Sequence, residues 1–544
     1  MPADADTYDF IVTGAGSAGC VVAGRLAESG RYRVLLLEAG PPDRNPWIHI
    51  PLGYAKTYVD PKVNWKFETE PQPQMGNRRL YLPRGKTLGG SSSINGMVYI
   101  RGNHADYDEW RQRGCTGWDW DSVLPFFKKA ENQARGADAY HGTGGPLHVS
   151  DQLDKGELSQ AALRACVEAG IPANPDFNGA RQEGCGFYQT TTNNRRRWSA
   201  AKAYLANPPP NLTIRTGAHA TRVIIRNGRA TGVEYHTQAG RQTSHARCEV
   251  IVSGGAYGSP QLLLLSGVGP AQHLQDMGIE VVRDMPAVGS NLHDHFNTTA
   301  SWRCSKAITL NDLQNSALRK IAAGIRYGLF RSGPMAGNGI TVGVFTRSDT
   351  RLERPDLQIN LFEWSTKERS RDAVTPHPFP GFTLTPVHLR PDGRGTVRLA
   401  SPDPFASPAV LFDYLRTEYD VRAALFGLRL VRRIAEQPAL RPYVVSEIFP
   451  GADIQSDAAL LDYVRRTGVS NQHPTSSCAM GSGPGTVVDP RLRVHGIAGL
   501  RVADASIMPV AVGGNTNAPT IMIGEKAAAM ILEDAKAGAP AMAA

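Results

Sequence analysis

Residues 8–40 read YDFIVTGAGSAGCVVAGRLAESGRYRVLLLEAG, and no other stretch narrows the choice of fold as far. An apolar, β-favouring run (Phe10, Ile11, Val12) stops at Gly14-Ala15-Gly16-Ser17-Ala18-Gly19, a helical pattern follows through Leu26, and a second apolar run, Val34 to Leu37, ends on Glu38. The order is strand, glycine turn, helix, strand, acid. Gly14 permits the tight turn, Gly16 lets a pyrophosphate approach the backbone, and Gly19 lets the helix pack close to the strand. Free N–H groups at the start of the helix, near Ser17 and Ala18, then face the phosphates. Glu38, followed by Ala39, stands 19 residues beyond Gly19, where a carboxylate accepts hydrogen bonds from ribose hydroxyls. A glycine turn alone arises from packing; the complete unit predicts an adenine dinucleotide. An acid at this position argues against a ribose 2′-phosphate, which leaves FAD or NAD rather than NADP.

With 544 residues, the chain exceeds one ordinary core, and about two to four structural units are expected. A hydrophobic content of 41% with 20% charged residues places it among soluble globular proteins. Met1 to Thr7 carries Asp4 and Asp6 and no apolar core, so no signal peptide is read there. No run reaches the roughly 18 apolar residues of a membrane span. The expected compartment is the cytoplasm, with peripheral contact at the inner membrane left open. Seven scattered cysteines form neither a disulfide framework nor a CxxC pair, and they read as small buried hydrophobes. The formal charge of +9 is dispersed apart from Arg195-Arg196-Arg197, which reads as a solvated or ion-paired loop. No nucleic-acid motif accompanies it, and no nucleic-acid partner is expected.

Two further motifs decide between the cofactors. Residues 85–102 read GKTLGGSSSINGMVYIRG, a glycine–serine run whose amides can wrap a flat or anionic ligand. A flexible linker fits poorly, because the run continues into apolar Ile94, Met97, Val98 and Ile100. Residues 255–269 read GAYGSPQLLLLSGVG. In this order, the two resemble the two signatures of the glucose–methanol–choline (GMC) oxidoreductases, FAD-dependent enzymes that oxidise alcohols. The resemblance extends over nearly the whole chain, and SSSINGMVYIRG, RVADASIMP and GNTNAPTIMIGE bring it nearest to bacterial acceptor-linked alcohol and choline dehydrogenases.

The resemblance implies an α/β fold, a Rossmann-like FAD-binding domain joined to an α+β substrate domain built on a large antiparallel sheet. It divides the chain into FAD-binding parts at 1–155 (with inserted cap or loop segments at about 41–80), 211–296 and 466–535. Substrate-domain parts fall at 156–210 and 297–465, and 536–544 is a tail. It adds Trp65, Leu88, Gly89, Ser92, Asn95, Gly96, Met97, Val98, Val223, Gln472, Asp504, Ala505, Asn517, Pro519 and Thr520 to the cofactor-binding candidates, although Val223 is equally well explained as core.

The local patterns agree with such a layout. Amphipathic pieces at Asp106 to Trp120, Ser122 to Ala130, Ser159 to Glu168 and Arg422 to Gln437 predict helices. Asp176 to Tyr188 reads as loop. β-rich runs from Leu212 to Ile225 and Ala230 to His236 flank Asn227-Gly228, a hairpin signal. Glu249 to Ser253 reads as a buried strand, and Gly339 to Thr346, Leu357 to Phe362, Phe382 to Leu389 and Gly395 to Leu399 as strands of an antiparallel sheet. His293-Asp294-His295 invites a metal, but no third ligand has usable spacing and the GMC pattern holds a similar element without one; no metal is expected.

The resemblance concentrates the chemistry at the C-terminal end. His473, in NQHPTSSCAMG, matches the catalytic histidine of the family. Its imidazole would take the hydroxyl proton as hydride leaves the same carbon for flavin N5. Asn517 is assigned as its partner, donating to the alcohol oxygen, with Asn515 the nearest rival. The final helix opens at this point and can stabilise negative charge on the flavin. The implied partners are a small alcohol and an electron acceptor, a quinone or other carrier in preference to O2. An H2O2-forming oxidase, and less readily a flavin-dependent lyase or decarboxylase, are the alternatives. Ile94 stands where some relatives attach FAD through a histidine, so FAD is expected to be noncovalent. After acid precipitation the yellow colour should stay in the supernatant; a yellow pellet would contradict this.

Overall fold

The computed structural model describes residues 6–152 and 155–537; residues 1–5 of the N-terminal reading and 538–544 of the expected tail lie outside them. The fingerprint folds as its pattern dictates. Thr7–Thr13 and Val34–Glu38 pair in parallel, with the helix Ser17–Glu28 between them. Leu212–Thr216 extends the sheet on one side and Gly240–Val252 on the other, both in parallel. Leu500–Val502 adds a further parallel strand against Gly240–Val252. The two central strands and the last residues of Gly240–Val252 are buried on both faces, the reason they read as near-continuous Val/Ile/Leu runs. Gly240–Val252 is longer than the expected strand because its polar first half forms an antiparallel meander with Arg229–Thr237 and His219–Arg226. The Asn227-Gly228 turn of that meander has positive φ at both residues (50° and 71°), as a tight hairpin requires.

The C-terminal helix, Asn517–Ala537, lies against Ser17–Glu28, so the last chain segment closes over the first. A buried ion pair fastens them: Arg25 Nε donates to both Glu525 carboxylate oxygens at 2.9 Å and Nη2 donates to Oε1 at 2.7 Å, with Tyr204 Oη adding a bond at 2.9 Å. Breaking such a pair on one side typically costs about 3–5 kcal/mol.

The second sheet is antiparallel, in the order Val444–Phe449, Ala300–Cys304, Gly381–His388, Leu357–Phe362, Ile340–Thr346, Gly184–Phe187. The short Phe296–Asn297 pairs both with Gly381–His388 and with Val469–Ser470. Side chains alternate across this sheet. Ile359, Leu361 and Leu384 enter the core shared with the helix Glu418–Ala435, whereas Asn360, Phe362, Thr383 and Thr385 face a cavity on the other side.

Several expectations change. Asp106 to Trp120 is not one helix: His104–Gln112 ends at Gly114, where φ is +90°, and a second helix, Trp120–Ala130, starts after the Asp119 cap. Asp176 to Tyr188 contains the edge strand Gly184–Phe187. Thr396–Arg398 forms a separate ribbon with Ala409–Leu411 and is not part of the large sheet. Arg197 is not a solvated charge. It is buried beneath the glycine–serine run and donates to Ile48 O (2.7 Å), Ser92 O (3.1 Å) and Asn95 Oδ1 (2.7 Å), while burial lowers it to about 9.

Candidate active site

A single cavity of about 990 Å³ runs from the fingerprint to the antiparallel sheet. That is the upper end of the usual range for small-molecule sites, roughly 300–1,000 Å³. At the fingerprint end, Gly14 has φ +92°, and a Cβ there would lie 2.5 Å from Ser253 O. The Gly14 N–H donates to Leu37 O at 2.8 Å. Glu38 ties the turn together by accepting from Ala15 N (2.9 Å) and Gly40 N (2.8 Å). Burial pushes its carboxyl up to about 7 against these two amides and Lys86. A second glycine segment meets the first: a Cβ on Gly90 would lie 2.7 Å from Gly16 Cα.

FAD, the group that the fingerprint and signatures imply, fits the cavity on three counts, two at this end and one toward the His473 loop. Gly16 is the N-cap of Ser17–Glu28 with no side-chain cap, so the first amides of that helix remain for a ligand. A Cβ on Gly16 would point into open space, as a site for close backbone approach requires. The Tyr257 hydroxyl, on the cavity wall, is buried with no hydrogen-bond partner among the described residues.

Most of the expected cofactor residues line this cavity: Gly14, Gly16, Ser17, Ala18, Glu38, Ala39, Trp65, Asn95, Gly96, Met97, Val98, Gln472, Asp504, Ala505, Asn517 and Thr520. Gly19 serves packing, since a Cβ there would lie 1.9 Å from Gly14 O. Leu88, Gly89, Ser92, Val223 and Pro519 do not line the cavity; each packs behind the wall. Gly89 N donates to Ala15 O at 2.8 Å, and Ser92 Oγ donates to Gly89 O at 2.6 Å. Leu88 packs on the main core, and Pro519 is buried in the first turn of the C-terminal helix. Gly85, Gly90 and Ser91 line the cavity in place of Leu88, Gly89 and Ser92. Val223 is a core residue whose N–H donates to Ser266 Oγ at 2.8 Å, and Ala218, His219 and Ala220 form the wall on that side.

His473 lies at the sheet end, 9% exposed, on a loop that the positive φ of Gln472 (65°) and Ser476 (74°) turns toward the cavity. Its backbone N–H donates to Asp294 Oδ1 at 2.7 Å. Its Nδ1 lies 2.9 Å from His295 Nδ1 and 3.2 Å from Asn471 Nδ2, while Nε2 lies 3.1 Å from Asn515 Nδ2. Burial, His295 and Arg84 together hold the His473 imidazole well below the ordinary histidine range, so it is neutral near pH 7. Arg84 reaches the loop directly, donating from Nη2 to Gln472 O at 2.8 Å.

The partner of His473 is therefore Asn515 and not Asn517, a correction of two positions. Gln358 Nε2 donates to Asn515 Oδ1 at 3.1 Å, which turns the amide nitrogen toward the imidazole. Asn517 opens the C-terminal helix and accepts from Ser17 Oγ at 2.8 Å, at the fingerprint end. His295 is the residue that sequence reasoning left without a role, although the His-Asp-His run had marked it. Its neighbour His293 accepts from Ala511 N at 3.1 Å and lies 3.0 Å from Pro391 O.

Comparison with known proteins agrees with this geometry. Family models described as GMC oxidoreductase match residues 8–297 and 391–524. The chain belongs to the GMC oxidoreductase family. It is 43% identical over 533 residues to an alcohol dehydrogenase [acceptor] of Pseudomonas putida, covering 96% of each chain. It is also 43% identical over 537 residues to a mitochondrial choline dehydrogenase of Mus musculus, covering 97% of this chain and 89% of that protein. Among solved structures, pyridoxine 4-oxidase from Mesorbium loti superposes with a TM-score of 0.88 at 28% identity, covering 96% of this chain and 99% of that one.

Two measurements check the site. Asn515→Ala should retain FAD and lower kcat about 10²-fold, whereas Asn517→Ala should chiefly weaken FAD retention; the reverse pattern would contradict the assignment. If His473 is the base it must be neutral to act, and because burial, His295 and Arg84 depress its pKa, the acid limb of kcat/KM should fall below pH 6.5, the unperturbed value, with no loss from this group as pH rises above it.

Proposed function

We propose that the protein is an FAD-dependent alcohol dehydrogenase that oxidises a primary alcohol to the aldehyde and passes the electrons to a quinone or other carrier. The observation that carries this reading is the placement of His473 Nε2, 3.1 Å from the Asn515 amide, on the wall of the cavity that also contains the fingerprint. FAD, when bound there, supplies the hydride acceptor. The residues of the chain do the rest. A hydroxyl entering between the two side chains donates to His473 Nε2 and accepts from Asn515 Nδ2. His473 removes the proton as the carbon loses hydride, and the amide stabilises the negative charge on oxygen. The half-buried Arg84 cation, which donates to Gln472 O on the same loop, favours the same charge.

Ile94 supports noncovalent attachment, because it is aliphatic and packs with Ile48 and Val63. The wall near His473 supports an uncharged substrate. Tyr54, Ile340, Phe362 and Trp364 offer apolar surface, and the charges at the mouth are mixed: Arg371 pairs with Glu68 at 2.9 Å, Asp372 with Lys66 at 2.9 Å, and the Arg369 guanidinium lies 4.7 Å over the Tyr58 ring. The similarity to the Pseudomonas putida protein, named for its acceptor, supports a carrier in preference to O2.

Anaerobic mixing of the yellow holoprotein with alcohols tests the reading. Aliphatic or aromatic primary alcohols should bleach the visible absorption, and a quinone analogue should restore the colour faster than air does. Unchanged spectra across the panel would refute alcohol oxidation. His473→Ala should keep its FAD and bleach at least about 10²-fold more slowly; little change would remove His473 from the mechanism.

A further inference from the structure

The helix Ala317–Phe330 is built with the wrong side outward for a soluble surface. Leu318, Ile321, Ile325 and Leu329 recur at intervals of three, four and four, so they form one stripe. A stripe of this kind ordinarily faces a core. Here they are 80%, 61%, 56% and 72% exposed, and Phe330 extends the patch at 72%. The helix is held instead by its narrow opposite side. Ala323 and Tyr327 are its buried residues, the first in a small cluster with Leu310 and Leu313 and the second donating to Arg195 O at 3.0 Å. These five account for much of the large apolar exposure on the described surface, and their concentration on one helix distinguishes them from scattered surface hydrophobes.

Charge identifies the occupant. Between Asp312 and Asp349 the sequence has no acid, while Arg319, Lys320, Arg326 and Arg331 all lie on or at the end of this helix. Arg319 reaches back to Asp312 at 3.8 Å. Arg195 and Arg196, the two members of the arginine triplet that make no contact with the glycine–serine run, belong to the hairpin Thr192–Arg197 beneath, and Arg195 Nη1 donates to Arg331 O at 3.1 Å. An exposed Leu/Ile/Phe stripe with a basic surround is the pattern of a helix that lies in the plane of a membrane interface, its apolar face among the acyl chains and its cations at the headgroups. A second copy of the chain would bring the same cations against each other, which opposes self-association through this face. Among the described residues no helix is long and apolar enough to cross a membrane.

We propose that Ala317–Phe330 docks the protein onto an anionic lipid surface. The position gives the contact a consequence for the cavity. Trp364 is a lining residue and also packs against the Leu310–Leu313–Ala323 cluster that roots the helix. The root of the helix therefore stands beside the sheet end of the cavity, so a docked protein would hold that end near the lipid from which an apolar alcohol or quinone would come.

Sedimentation of the holoprotein with vesicles tests this without turnover, so it stands or falls separately from the catalytic reading. Vesicles of phosphatidylcholine alone are compared with vesicles in which a quarter of the lipid is phosphatidylglycerol. The wild type should sediment with the anionic vesicles at least about tenfold more strongly than with the neutral ones, and high salt should narrow the gap. The double variant Ile325→Glu, Leu329→Glu should lose at least about tenfold in binding to the anionic vesicles. Both positions are exposed and outside the catalytic machinery, so its FAD content and its turnover of a water-soluble alcohol with a soluble dye should be unchanged. The proposal is overturned if the wild type fails to bind anionic vesicles, or if the variant binds them equally well. It is also overturned if the wild type binds no vesicle but forms a concentration-dependent dimer that the variant abolishes, which would assign the face to a second copy.

Discussion

The arrangement around His473 depends on one buried carboxylate. Asp294 accepts from the His473 amide at 2.7 Å, from Tyr414 Oη at 2.7 Å, from its neighbour His295 N at 2.9 Å and from Ser470 Oγ. Burial pushes its carboxyl up to about 6, against those donors and the Arg84 charge. A group taken so completely out of water persists only where donors satisfy it, and these donors come from separate stretches of the chain. Asp294 thereby fixes the end of the second nucleotide-binding segment to the loop 470–473, and with it the imidazole to the cavity. His293 and His295 flank it on the same turn, one accepting from the Ala511 backbone and the other lying against His473. What reads in the sequence as a metal-like trio works in the fold as a fastening.

The fingerprint half was legible because its constraints are local. A turn that leaves no room for a Cβ at Gly14, an acid at a fixed distance and two apolar strands are all properties of neighbouring residues, and they folded as read. Constraints set from a distance were not legible. Asn515 and Asn517 are two residues apart and chemically identical; only Gln358 on the far sheet, and the start of the helix at Asn517, decide which one meets the imidazole. Val223 could have faced either way along its strand. Arg197 resembled its two neighbours until the glycine–serine run was folded over it. In Ala317–Phe330 the apolar period is visible in the sequence, but which side of the helix is anchored is a tertiary fact.

The two halves also differ in electrostatic character in a way that suits their tasks. The fingerprint end offers backbone amides and a carboxylate, groups that recognise a phosphate and a sugar by position. The sheet end sets a neutral imidazole near the half-buried Arg84 cation, an arrangement that under the proposed reading would favour negative charge on the alcohol oxygen as its proton passes to nitrogen. Continuity of the cavity between them makes one site of two binding problems.

A crystal structure of the purified yellow protein with FAD would test this continuity most directly. The account predicts the adenosine ribose on Glu38, the pyrophosphate at the start of the helix Ser17–Glu28, and the isoalloxazine ring beside His473 and Asn515. A ring located away from that imidazole, or a cofactor lying in the reverse direction along the cavity, would contradict it.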